Sequence, residues 1–272
     1  LLKLPVLKIG DLTAEVPIIQ GGMAIRLSTA RLAAAVAQEG GIGLIAASGM
    51  AFDELRKEIR LARKLTGGKG IIGINAMVAA REFLGLITTA AEEKIDLIVA
   101  GAGFSRDIFA VGREHNVAVV PIVSSVKLAK ISEKLGAAAI VVEGTEAGGH
   151  LGTQQSIKDI LPDIVKAVNI PVIAAGGATD GAAVAELLKL GASGVQMGSR
   201  FAASEESNGA PALKELYLKM TKEDVVQIDS PVGYKGRAIL NPFAKQVLEG
   251  TQPRPRTCDN CCLLYTSPSP RD

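Results

Sequence analysis

Eight short apolar runs recur along the chain, and each is followed by a segment long enough to form a helix. Their starts lie between 20 and 34 residues apart, the length of a β-strand followed by an α-helix. Strands that are apolar throughout are typical of a parallel sheet covered on both faces. The pattern therefore predicts a protein of the α/β class with a (β/α)8 TIM barrel over residues 1–203. The predicted strands are 17–22, 41–47, 71–77, 96–101, 117–124, 137–143, 171–176 and 192–198.

Glycines follow nearly every predicted strand. The competing fold, a doubly wound sheet, usually has fewer strands and concentrates its glycines after the first one, so the spread favours one ring of loops at one end of a barrel. Residues 204–255 depart from this strand–helix repeat. We expect them to form a small lid or cap with closing helices, or alternatively a closing helix with additional segments. We expect a disordered tail over 256–272, in which the polar, proline-spaced segment 262–272 resembles a non-native extension.

Composition excludes several classes of function. The 272 residues include 30 basic and 28 acidic ones, a net charge of +2 without a long basic run, which gives no support for binding nucleic acid or a membrane surface. No apolar run reaches the roughly 18 residues of a membrane helix. Cys258, Cys261 and Cys262 all lie near the end of the chain, so we expect neither a disulfide framework nor a metal site. A cytoplasmic protein follows, and its oligomeric state stays open, a homodimer included.

The stretch 141–152 stands out because an apolar strand ends there in small residues and a single histidine. Its four glycines remove side chains and let a flat ligand approach the backbone. His150 is the main group in this loop that can transfer a proton near neutral pH. Glu143 and Glu146 either orient His150 or the ligand, or are simply solvated. Because the carboxyl ends of barrel strands carry the active site, we expect this loop at its mouth.

Two glycine turns, 174–180 and 196–200, follow the last two predicted strands. Backbone N–H groups in such turns bind phosphate, and these two loops are the usual phosphate site of a TIM barrel. The alternative is that the glycines only allow helices to pack closely. Arg200 either compensates the charge of the phosphate or forms a salt bridge at the rim.

The ligand that best suits this mouth is a flavin. Lys127 lies in a predicted helix and not at a strand end, which argues against imine chemistry. His115 lies in a charged segment, and no histidines and carboxylates show the spacing of metal ligands. A flavin phosphate needs the glycine turns, and its flat ring needs an open mouth with a few polar groups.

At the level of motifs, residues 7–255 resemble the FMN-dependent nitronate monooxygenases, or 2-nitropropane dioxygenases, and their relatives the flavin-type enoyl-acyl-carrier-protein reductases. The Glu-Gly-Thr-Glu-Ala-Gly-Gly-His segment that ends at His150 is one of the motifs that carry this resemblance. The others lie at 17–23, 73–75, 101–103, 121–125, 174–177 and 196–201.

This resemblance implies FMN as the cofactor and His150 as the catalytic residue. It implies that Gly22 and Met23 flank the flavin ring and that Asn75 hydrogen-bonds it. It further implies that Ser124 lies close to the ring, that Gly148 and Gly149 make room for the cofactor, and that the phosphate is bound by Gly176, Gly177, Gly198 and Ser199. We also expect Glu143 and the motif residues Gln196 and Met197 to be part of the cofactor site.

The reaction that the resemblance implies first is oxidation of alkyl nitronates or nitroalkanes by dioxygen to carbonyl compounds and nitrite. Residues 229–233 resemble a substrate-side segment of nitronate oxidisers and favour this reading. The first alternative is an enoyl-acyl-carrier-protein reductase that uses NAD(P)H. The second is an FMN-binding homologue without turnover.

Overall fold

The computed structural model describes residues 4–229 and 235–253. Its strands are β1 (Leu7–Ile9), β2 (Leu12–Ala14), β3 (Ile18–Gln20), β4 (Ile42–Ala46), β5 (Ile71–Met77), β6 (Leu97–Gly101), β7 (Ala118–Val123), β8 (Ile140–Glu143), β9 (Gly149–His150), β10 (Val172–Ala175), β11 (Gly194–Met197), β12 (Val225–Asp229) and β13 (Lys235–Ile239). Eight of them form a closed parallel barrel in the order β10-β11-β3-β4-β5-β6-β7-β8. Each barrel strand lies within one predicted apolar run, so the TIM-barrel prediction is confirmed.

Helices alternate with the barrel strands. They are α1 (Ala30–Gln38), α2 (Phe52–Leu65), α3 (Phe83–Glu92), α4 (Asp107–His115), α5 (Val126–Leu135), α6 (Ile157–Ala167), α7 (Gly181–Lys189) and α8 (Ser199–Ala202). Helix α7 is capped by Asp180, a residue type that favours the N-cap position, whose Oδ1 accepts from the Ala183 N–H at 2.8 Å. Helix α2 begins after Ala51, which is its N-cap, and Asp53 lies in its first turn. His115 is the last residue of α4, so its charged segment is the end of that helix.

The core has two apolar layers. Inward-facing residues such as Leu44, Val99 and Val141 form one cluster inside the barrel, which the β1–β2 hairpin joins through Leu7. Their neighbours in sequence, such as Val142, face outward and pack against the helices. Because side chains alternate along a strand, membership of these two clusters tells which strand-end residues point into the barrel mouth.

Residues after α8 form a separate group of elements, with α9 (Pro211–Lys219), a 3-10 helix at Lys222–Asp224, the β12–β13 hairpin and α10 (Pro242–Glu249). Strand β13 also pairs with β9, which makes a three-stranded antiparallel sheet beside the barrel. The assignment of 204–255 as a lid stays a prediction. The three cysteines, the predicted tail 256–272 and residues 230–233 of the substrate-side segment lie outside the described residues.

Within the described ranges, no helix is long and apolar enough to cross a membrane. The same part of the chain holds no group of three or more histidine, cysteine or acidic side chains that could bind a metal ion.

Candidate active site

Three polar side chains point into the barrel at the carboxyl ends of its strands. Val141 belongs to the inner cluster, so Glu143, two residues later on β8, faces the same way. Asn75 follows the inward-facing Ile71 by four residues on β5. Gln196 follows Gly194, whose missing Cβ would meet the interior residue Leu7 at 2.9 Å. All three are predicted site residues, and the structure brings them to one end of the barrel.

Glu143 has an unusual protonation state. Burial raises the pKa of its carboxyl group from 4.5 to about 7, because the mouth offers little solvent to the charged form. Near neutral pH this side chain is therefore protonated in a large fraction of molecules, and it can then donate a hydrogen bond. The interpretation of Glu143 as a solvated loop carboxylate is wrong.

Glu146 has a structural role at the start of α6. Its carboxylate accepts hydrogen bonds from the Ser156 hydroxyl and, at 2.9 Å, from the Ile157 N–H. These bonds lower the pKa of Glu146 although burial alone would raise it. Glu146 thus holds its loop against the start of α6.

A buried glutamine fixes the loop after β3, and the sequence analysis did not single it out. Gln20 is fully buried; its Nε2 donates to the Ser28 hydroxyl at 3.0 Å, and its Oε1 accepts from the Leu44 N–H at 3.1 Å. The Ser28 hydroxyl also accepts from the Met23 N–H at 2.9 Å, so the serine closes the loop and does not cap α1. The sequence feature that could have identified Gln20 is a glutamine within an apolar strand, because a buried polar side chain needs hydrogen-bond partners.

The same loop lies against the inward-facing amides. A Cβ on Gly22 would lie 2.3 Å from the Asn75 Cβ, so only glycine fits there. A Cβ on Gly198 would lie 3.9 Å from the Met23 sulfur. The loop after β3, strand β5 and the loop after β11 therefore meet at the mouth.

Two of the four glycines in 144–152 leave open space, and two do not. A Cβ on Gly148 or Gly149 would meet no described atom within 4 Å. A Cβ on Gly144 would lie 2.4 Å from the Ile157 nitrogen, and one on Gly152 would lie 3.0 Å from the Ser124 hydroxyl. The expectation that all four make room for a ligand is wrong for Gly144, where only glycine fits against the start of α6, and for Gly152, whose side-chain position faces the Ser124 hydroxyl.

His150 lies in a loop segment that spans from the end of β10 to the end of β7. On one side, a Cβ on Gly176 would lie 2.8 Å from the Ala147 nitrogen. On the other, the Ser124 hydroxyl donates to the Gly152 carbonyl at 3.1 Å. Burial lowers the pKa of the His150 imidazole below 6.5, which favours the neutral ring that can accept a proton.

The two glycine turns are joined by Arg200. Gly176 and Gly177 have φ values of +110° and +72°, a conformation that favours glycine. Arg200, one residue after Ser199, donates from Nη1 to the Thr179 carbonyl at 3.0 Å, which ties the turn after β11 to the turn after β10. This contact is a bond to a backbone carbonyl. It provides neither of the two predicted roles of Arg200, which were charge compensation for a phosphate and a salt bridge at the rim.

Met197 differs from the other predicted cofactor residues. Its side chain is buried in the outer apolar layer and points away from the mouth, although its carbonyl accepts from the Gly21 N–H at 2.9 Å. Any contact of Met197 with a ligand in the mouth would be made by its backbone. The assignment of all these residues to a cofactor stays a prediction.

Comparison with known proteins identifies the family of this chain. The family model described as nitronate monooxygenase matches residues 7–93 and 69–262. A probable nitronate monooxygenase of Staphylococcus aureus strain MSSA476 is 31% identical over 281 residues, which cover 87% of this chain and 78% of that protein.

Solved structures show the same architecture. FabK from Thermotoga maritima has a TM-score of 0.82 and 38% identity and is matched over 87% of this chain and 75% of its own. A nitroalkane oxidase from Streptomyces ansochromogenes has a TM-score of 0.78 and 25% identity over 93% and 84% of the two chains. The chain therefore belongs to the nitronate monooxygenase family.

Proposed function

We propose that this protein binds FMN across the barrel mouth and oxidises alkyl nitronates and nitroalkanes with dioxygen. One observation carries the proposal: His150, with its pKa lowered by burial, lies in the loop that packs on the Gly176 turn, beside the open space at Gly148 and Gly149. Family membership supports the reaction class.

The residues at the mouth suit a flavin. The Gln196 Oε1 atom is buried and accepts no hydrogen bond from the described residues, although a buried acceptor without a donor is costly. A flavin ring carries an N–H donor that can satisfy such an acceptor, and the protonated Glu143 can donate to a ring acceptor. The turns at Gly177 and Gly198 would hold the phosphate. When bound, FMN supplies the redox chemistry, taking electrons from the substrate and passing them to dioxygen.

His150 supplies the proton transfer. A neutral imidazole can remove the proton from the α-carbon of a nitroalkane, which is acidic enough for this base. A nitronate is already an anion and needs no base. His150 should therefore matter much more for nitroalkanes than for nitronates.

The test compares His150→Ala with His115→Ala, since these are the two histidines of the chain. We expect His150→Ala to retain FMN, to oxidise nitronates, and to lose about 100-fold or more of its nitroalkane turnover, the usual range for one acid–base group. His115→Ala should behave as wild type. Unchanged nitroalkane turnover in His150→Ala would remove this residue from the mechanism.

Reduction of enoyl-acyl-carrier-protein substrates by NAD(P)H is the second candidate, supported by the 38% identity to FabK. Anaerobic mixing of the yellow protein separates the candidates. Bleaching of the flavin by a nitronate supports oxidation, and rapid bleaching by NADH or NADPH supports reduction. Bleaching by neither supports an FMN-binding homologue without turnover.

A further inference from the structure

The β12–β13 hairpin forms two side-chain hydrogen bonds to one residue of the loop that leads to His150. Gln227 on β12 and Arg237 on β13 are directly opposite each other, so their side chains lie on the same face of the hairpin. Gln227 donates from Nε2 to the Thr145 hydroxyl at 3.0 Å. Arg237 donates from Nη1 to the Thr145 carbonyl at 3.1 Å. Two neighbouring side chains thus hold both oxygens of one threonine.

Thr145 is also held from the opposite side. Its N–H donates to the Gln155 carbonyl at 2.8 Å, on the segment that leads into α6. After Thr145, Glu146 bonds the start of α6 and Ala147 lies against the Gly176 turn. Only then does the support end, because side-chain positions at Gly148 and Gly149 would meet no described atom within 4 Å. The direction in which the chain reaches His150 therefore depends on how the residues before these glycines are fixed.

The hairpin holds the far end of the same loop through its backbone. Gly236 pairs with His150 and Arg237 with Gly149, and the Leu151 N–H donates to the Lys235 carbonyl at 2.8 Å. Strand β9 has only two residues, so its backbone pairing with β13 fixes only a short part of the loop. Arg237 belongs to both attachments, since its backbone pairs with β9 and its guanidinium bonds Thr145.

We infer that Arg237 and Gln227 are positioning residues, which act through Thr145 to hold the His150 loop in place over the barrel mouth. For catalysis the inference rests on the proposed function. For the placement of His150 it rests on the hydrogen bonds alone. Neither residue is proposed to touch the substrate.

The charged surroundings of His150 determine which controls are needed. The ionisable groups on the described elements around it are Glu143 on β8, Glu146 in its own loop, and Lys235 and Arg237 on β13. Lys235 forms an ion pair with Asp229 at 2.6 Å on the same hairpin and has no side-chain bond to Thr145. Lys235→Gln therefore removes one positive charge from β13 and leaves the hydrogen bonds from Gln227 and Arg237 to Thr145 intact.

The experiment compares Arg237→Ala, Arg237→Lys and Gln227→Ala with Lys235→Gln. The first readout is the NMR titration of the imidazole signals, in which His115 serves as an internal reference. We expect the pKa of His150 to rise towards its ordinary value in Arg237→Ala, because a loosened loop admits water, and to rise less in Lys235→Gln. The signals of His115 should be the same in every variant as in wild type. Equal behaviour of Arg237→Ala and Lys235→Gln would overturn the inference.

The second readout is the ratio of nitroalkane to nitronate turnover. We expect this ratio to fall about tenfold in Arg237→Ala, through kcat for the nitroalkane, and to be partly restored in Arg237→Lys, whose ammonium can still donate to the Thr145 carbonyl. If Arg237→Ala does not fold, Gln227→Ala and Arg237→Lys carry the same comparison, and a wild-type ratio and His150 titration in both would refute the inference. If wild type oxidises no nitronate, the proposed function fails, while the NMR titration still decides the positioning role.

Discussion

The variant Gly148→Ala tests whether the open space beside Gly148 accommodates a cofactor or is needed for folding. The added methyl group would meet no described atom within 4 Å, and the backbone of Gly148 does not have the positive φ that only glycine adopts readily. Replacing glycine by alanine at such a position stabilises a protein by about 0.4–1 kcal/mol, because the unfolded chain loses freedom. We therefore expect the free energy of unfolding of the cofactor-free protein to be unchanged or slightly higher.

The same methyl group should interfere with a flavin that fills this space. Forcing an extra methyl into a filled site costs about 1–3 kcal/mol, which corresponds to roughly 5- to 150-fold weaker FMN binding. The measurements are urea unfolding of the cofactor-free protein and titration of that protein with FMN. Gly149→Ala is the contrasting variant, because its φ of +83° should cost about 1–2 kcal/mol of stability in addition. Wild-type FMN affinity in Gly148→Ala would refute the view that the cofactor occupies this space.

Three further predictions concern other parts of the mouth. Gly22→Ala should lower the free energy of unfolding by about 1–3 kcal/mol, because the new Cβ would overlap Asn75, and an unchanged urea midpoint would contradict this. Since the pKa of Glu143 is about 7 in the folded state against 4.5 when unfolded, its ionisation weakens folding as pH rises through this window, by at most about 3 kcal/mol. Glu143→Gln should thus gain stability relative to wild type as pH rises from 4.5 to about 7, with no further gain above that, and a pH-independent difference would argue against a buried carboxyl. Nitroalkane turnover should fall only as pH drops below 6.5, because burial depresses the pKa of His150, and a midpoint above 6.5 in the pH–rate profile would count against it as the base.

The barrel was predictable because its signal is local. Each strand, such as β5 or β10, is a short apolar run flanked by glycine or polar residues, and the structure places all eight barrel strands inside the predicted ranges. The α7 cap was equally local, since Asp180 bonds a backbone group three residues away. Strand β9 was not predicted, because a Gly-His pair carries no apolar pattern and is extended only by pairing with β13.

The roles of individual site residues were less predictable. Glu143 and Glu146 are three residues apart in one motif, yet one is a buried carboxyl with a raised pKa and the other bonds the start of α6. Gly144 and Gly148 look alike in sequence, but only Gly148 borders open space. Such differences depend on which neighbours surround each residue, and the identity of the residue does not reveal them.

The sequence by itself determined the repeated strand–helix pattern, the motifs at the strand ends and the family to which they point. Continuous apolar runs and helix caps involve residues only a few positions apart, so they can be read directly from the chain. Only the tertiary structure decided that Thr145 meets Gln227 and Arg237, which are 82 and 92 positions away. Contacts of that kind depend on the path of the closed barrel and the hairpin through space, and they fix the loop that carries His150.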